Sequence, residues 1–68
     1  MATKHNLKPI RSFVYREAYA SAMEAADERG HTRMYPSMAE YREYRDDWRD
    51  YMNGWRAGMK RWNRENAA

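Results

Sequence analysis

The chain has 68 residues and a formal net charge of +3; 34% of its residues are charged and 15% aromatic. Below roughly 70 to 80 residues a chain forms one domain with a modest core, which argues against a self-contained enzyme with a deep pocket. With no cysteine there is no disulfide framework, thiolate zinc site or cysteine nucleophile.

The usual core set is reduced to Leu7, Ile10, Phe13 and Val14, against ten Ala, six Met and ten aromatics. Few aliphatics alone would suggest disorder, but disordered chains also lack aromatics and carry a large net charge. The composition therefore reads as a folded, aromatic-rich, cytoplasmic binding protein. No apolar run approaches the roughly 20 residues of a membrane span, and MATKHNLKPIRSF has basic residues with no apolar segment behind them.

Residues 1–8 show no periodicity and read as a flexible basic lead, followed by a single helical-hairpin domain over 9–68. Pro9 suits a first helical turn. From Ile10 the apolar residues Phe13, Val14, Ala18, Ala22, Ala25 and Ala26 recur at three- and four-residue spacing, and Gly30 is a left-handed stop, so the first helix is expected over about 10–29. After the connection GHTRMYP, Ser37 and Glu40 form a capping box. Tyr41, Trp48, Trp55 and Trp62 then recur every seven residues, with Met38, Arg45, Met52 and Met59 three places before them. This a/d pattern predicts one helix over about 38–63 that runs through Gly54 and Gly58 despite their low helix propensity. The expected fold is all-α, a two-helix antiparallel hairpin. A homodimer would make it a four-helix bundle.

Residues 1–16 sum to +4, 17–36 to −2, 37–51 to −2 and 52–68 to +3. An antiparallel hairpin would bring the two basic ends together as one pole of Lys4, Lys8, Arg11, Arg16, Arg56, Lys60, Arg61 and Arg64. Helix-dipole complementarity accounts for bases near the end of the second helix, but not for those at the start of the first. A basic pole beside Trp55 and Trp62 suits phosphate contacts with base stacking. The seam Tyr41, Trp48, Trp55, Trp62 reads first as core and second as a face for a partner, with Arg42, Arg49 and Arg56 running beside it.

No catalytic constellation is present. His5 and His31 are isolated and make a poor metal site. Glu40, Glu43, Asp46, Asp47 and Asp50 alternate with Arg42, Arg45 and Arg49 as solvated pairs. Ser12, Ser21 and Ser37 lack a base at plausible spacing. No cofactor, metal, membrane or small-molecule substrate is expected.

The stretch Tyr51, Met52, Asn53, Gly54, Trp55, Arg56, with Gly58 beyond it, resembles the second-helix signature of the ribosome modulation factor family. Pro36 corresponds to the proline before that helix, and Ala18 to Ala26 to the small-residue first helix. The resemblance implies a short basic two-helix protein that binds 16S ribosomal RNA and favours inactive, paired ribosomes. Beside this expectation of a ribosome-binding translational regulator stand two others: a phage-type protein–protein inhibitor of a host machine that uses the Trp/Tyr/Arg face, and a homodimeric module whose seam is its own interface.

Overall fold

A computed structural model describes residues 11–67; Lys4, Lys8, Pro9 and Ile10, with the expected basic lead, lie outside them, and Arg11 and Ser12 are not helical, so the first helix starts later than the expected residue 10. Three α-helices follow in order, α1 (Phe13–Arg29), α2 (Met38–Glu43) and α3 (Trp48–Glu65), with a 3-10 turn over Arg45–Asp47 between the last two.

Helix α1 begins at Phe13 because Ser12 is extended and its Oγ accepts the Tyr15 N–H at 3.1 Å. That side-chain cap satisfies a donor which would otherwise be left without a helical partner. The helix ends at Gly30, whose φ of 79° is left-handed and whose N–H bonds to the Ala26 carbonyl at 2.7 Å. Between the caps Ala18, Ala22 and Ala26 stand four residues apart and are fully buried. They form a smooth stripe on which another helix can lie closely.

Helix α3 is that partner, and it runs parallel to α1. A Cβ placed on Gly54 would overlap the carbonyl oxygen of Tyr15, and one on Gly58 would lie 2.5 Å from that of Tyr19. Four residues forward along α3 thus correspond to four residues forward along α1. In an antiparallel pair the second contact would have moved back toward Arg11. Near the C-terminal ends of both helices Asn63 Nδ2 donates to Thr32 Oγ1 at 3.0 Å, which confirms the direction. The expected antiparallel hairpin of two long helices is therefore replaced by a parallel pair.

Parallel neighbours need a return connection, and residues 31–47 supply it. The segment descends along α3: Thr32 meets Asn63, the Met34 carbonyl accepts from Trp55 Nε1 at 3.3 Å, and Glu40 accepts from the Tyr51 hydroxyl at 2.7 Å. Its helical part, α2, opens on the expected capping box, with Ser37 Oγ accepting the Glu40 N–H at 3.2 Å and Glu40 Oε1 accepting the Ser37 N–H at 2.8 Å.

The single helix expected over 38–63 is broken at Tyr44 to Asp47. In a straight helix Glu40 and Tyr51, eleven residues apart, would be separated by about 16 Å along the axis. Their hydrogen bond requires the chain to fold back. The break also stacks Tyr44 on Tyr51, with ring centroids 4.7 Å apart, and sets Tyr41 edge-on to Trp48 at 5.0 Å. Two consecutive aspartates, weak helix formers that favour helix starts, mark where α3 begins.

The core consists of Ala18, Ala22, Ala26, Tyr51, Trp55 and Met59. It follows a stripe rotated from the expected heptad seam. Trp55 and Met59 are buried, but Met38 is 63% exposed, Tyr41 and Arg45 are exposed, and Trp48, Met52 and Trp62 are half-buried. Tyr51, Gly54 and Gly58, off the seam, are buried instead. The two glycines lower helix propensity and in return let α3 approach α1 to backbone contact.

Candidate anion-binding groove

The parallel arrangement separates the residues expected to form one basic pole. Taking Gly54 as level with Tyr15, Arg16 lies level with Trp55, and Arg64 lies nine residues farther along, about 14 Å up the axis. Arg11 and Arg16 sit at the N-terminal end of the pair, while Lys60, Arg61 and Arg64 sit toward the C-terminal end. There the α3 bases stand beside the acidic end of α1, which carries Glu24, Asp27 and Glu28.

Arg11 and Arg61 are tied to the scaffold. The Arg11 guanidinium lies 4.6 Å from the Tyr15 ring centroid, and Tyr15 stacks on Tyr19 at 6.5 Å. Arg61 Nη1 donates to the Tyr19 hydroxyl at 3.3 Å, and its Nε pairs with Glu65 at 2.8 Å. The Glu65 and Tyr19 contacts raise the Arg61 pKa further above its ordinary value. The two arginines approach one tyrosine pair from opposite ends, and Arg61 ties α3 to α1 through Tyr19.

The cations that remain together border an open groove of about 690 Å³ between the return segment and α3. Met34, Met52, Trp55 and Met59 provide its apolar floor. Arg33, Arg56 and Lys60 stand around it, and among the described residues no carboxylate lines it. Arg33 and Tyr35 come from the connection, while Arg56 and Lys60, four apart, project from one face of α3. Arg56 Nη2 donates to Asn53 Oδ1 at 2.8 Å, which orients the guanidinium.

Tyr35 is 83% exposed, so its ring is free to take a partner. Trp55 is only 4% exposed and its indole N–H is committed to the Met34 carbonyl. It lines the groove and offers no free ring for the base stacking expected beside the basic pole. Trp62, half-buried, packs against the core. Arg33, Met34 and Tyr35 were passed over in the sequence because they fall in the connection. The matched spacing of Gly54-x-x-x-Gly58 and Ala18-x-x-x-Ala22 signals close helix packing but not its direction, so the sequence carries no signal for these three residues.

Polar chemistry elsewhere is structural. Burial pushes the Glu40 carboxyl up, but hydrogen bonds from the Ser37 N–H, the Tyr51 hydroxyl and the Ser37 hydroxyl outweigh it and hold the pKa below 4.5. Glu40 is thus a cap and an anchor rather than one member of a solvated charge row. A smaller depression, about 290 Å³, is lined by Arg42, Glu43, Arg45, Asp46 and Asp47 and carries both signs of charge. No group of three potential His, Cys, Asp or Glu metal ligands occurs among the described residues, and no helix there is long and apolar enough to cross a membrane. Comparison of the chain with family models, curated proteins and solved structures finds no match.

Proposed function

We propose that this protein is a non-enzymatic, cytoplasmic regulator that binds structured RNA, with the ribosome as the target class. The observation that carries this reading is the groove: Arg33, Arg56 and Lys60 around an open depression with no carboxylate in its lining, beside an exposed tyrosine. Clustered cations draw phosphates, and an aromatic ring accepts bases.

The resemblance at residues 51–59 supports the same reading. Gly54 and Gly58 seat α3 on α1, Trp55 fills the space between α3 and the connection, and Arg56 is left exposed beside Lys60. In this reading RNA binding falls to Arg56, Lys60 and Arg33, while Arg11 and Arg61 brace the scaffold. Lys4 and Lys8 would add charge to the complex.

A phage-type inhibitor of a host protein is the second reading, favoured by the methionine floor, because Met-lined grooves adapt to apolar side chains. Affinity capture from lysate with and without ribonuclease separates the two. Ribosomal components that vanish with ribonuclease, and binding that weakens steeply between low and moderate salt, support the first reading. One ribonuclease-resistant protein, held at high salt, supports the second. A homodimeric bundle would use exposed Phe13, Met38 and Tyr41, and sedimentation at increasing concentration tests it.

A further inference from the structure

The RNA reading leaves open whether the groove meets a duplex or an unpaired strand. A duplex offers phosphates to protein cations and keeps its bases stacked inside. Its binding would use Arg33, Arg56 and Lys60 and leave uncovered the half-buried Met34 and Met52, the part of the apolar floor open to solvent. We infer that the groove is a seat for an unpaired nucleotide, with a base covering the methionine floor beside Tyr35 and its flanking phosphates on Arg56 and Lys60.

Two features support this occupant, and the inference rests on the RNA reading above. Side chains four apart on a helix stand about 5 to 6 Å from one another at Cβ. Arg56 and Lys60 are so spaced, a separation comparable to that of neighbouring phosphates along a single strand. The floor is also held in place: Trp55 is buried and bonded to the Met34 carbonyl at 3.3 Å, and Met59 is part of the core. Tyr35 on the rim is exposed enough to swing over a base. A base plane thus has a fixed apolar surface below and an exposed ring beside it, the arrangement by which proteins hold splayed-out bases.

The test uses the full chain and a fluorescently labelled RNA of about ten nucleotides, within the range one small domain can cover. Its affinity is measured by anisotropy in three forms: single strand, the same strand annealed to its complement, and the same strand with abasic sites in place of the bases. The single strand is expected to bind at least roughly tenfold more tightly than either of the others, and Tyr35→Ala to weaken it by roughly 5- to 100-fold, the span of single-base stacking. Tyr35 is exposed, so circular dichroism of the variant should match the parent. Arg56→Gln with Lys60→Gln should weaken all three forms.

Equal binding of the three forms, with Tyr35→Ala silent and the cation variant weak, would overturn the base seat and leave RNA binding standing. Failure to bind any of them at low salt, with ribosomes also unbound, would remove the RNA reading and the seat together. A ribonuclease-resistant protein that protects Tyr35 and Met52 from modification would assign the groove to a protein instead.

Discussion

Gly54 of α3 lies against the Tyr15 carbonyl of α1 so closely that an added Cβ would stand 2.9 Å from the carbonyl carbon and 3.0 Å from the Tyr15 Cα. Backbone cannot give way as a flexible side chain can. Gly54→Ala should therefore destabilise the fold by about 2 kcal/mol or more, even though alanine favours helix by up to about 1 kcal/mol. Gly58→Ala meets the Tyr19 carbonyl oxygen at 2.5 Å and Ala22 Cβ at 3.0 Å and should behave similarly. Gly30→Ala has open space around its Cβ and should cost only the left-handed backbone penalty, about 1 to 2 kcal/mol. Urea melts followed by circular dichroism rank the three. A neutral Gly54→Ala would refute the close approach.

The direction of packing has its own test. Spin labels at Glu28 and Arg64 should report a short distance by pulsed electron resonance, because both sites lie toward the C-terminal end of the parallel pair. Labels at Arg16 and Arg64 should be farther apart, with about 14 Å of axial separation added to the lateral spacing. All three positions are exposed. An antiparallel hairpin would give the reverse order.

Local signals in the sequence were sound where chemistry acts within a few residues. Gly30 as the stop of α1 and Ser37 with Glu40 as the start of α2 appear as their side chains dictate. Strand-free helical architecture followed from the three- and four-residue periodicity. The heptad phase misled because it is blind to a reversal of the chain: the seven-residue recurrence of Tyr41, Trp48, Trp55 and Trp62 persists across a break that places Tyr41 on a different path from the other three. Helix direction was not legible either, since short connections favour antiparallel neighbours and only the contacts of Gly54 with Tyr15 and Gly58 with Tyr19 select the parallel pair. The basic pole depended on that direction and was lost with it. The groove replaced it, through Arg33 and Tyr35 in a connection whose residues carried no periodic signal.

Stability should fall in acid through Glu40. Its folded pKa is below the ordinary 4.5, held there by the Ser37 and Tyr51 hydrogen bonds against the opposing effect of burial. A group with a depressed folded pKa contributes stability that is present above 4.5 and is lost as pH falls through the folded value. Glu40→Gln should cost about 1 kcal/mol at neutral pH, and the gap from the parent should close below pH 4.5. Thermal melts from pH 7 down to 3 measure it; a gap that stays constant would show that the charge is not involved.

The other partner predicts the alkaline side. Burial, then the hydrogen bond to Glu40, raises the Tyr51 pKa well above its ordinary value of 10. The folded state therefore keeps the neutral phenol, and that contribution is present below pH 10 and lost as pH rises beyond it. Tyr51→Phe should lose about 1 kcal/mol at neutral pH and show a weaker alkaline decline. Ultraviolet titration should find one tyrosine, absent from the Tyr51→Phe protein, ionising after the others. Simultaneous titration of all tyrosines would contradict the arrangement.

Two tryptophans one heptad apart should respond unequally to the same change. The Trp55 N–H is spent on the Met34 carbonyl, and its ring is buried between α3 and the connection. Trp55→Phe strands that carbonyl and opens a void, an expected loss of about 2 kcal/mol or more. The Trp62 N–H is buried without a hydrogen-bond partner among the described residues. Trp62→Phe removes an unsatisfied donor, which offsets the lost contact area, so the change should stay within about 1 kcal/mol. Chemical denaturation of the two variants decides the point. Because Trp55 is also a wall of the groove, its replacement should loosen the Met34 and Tyr35 segment and weaken partner binding more than Trp62→Phe does, even at temperatures where both remain folded.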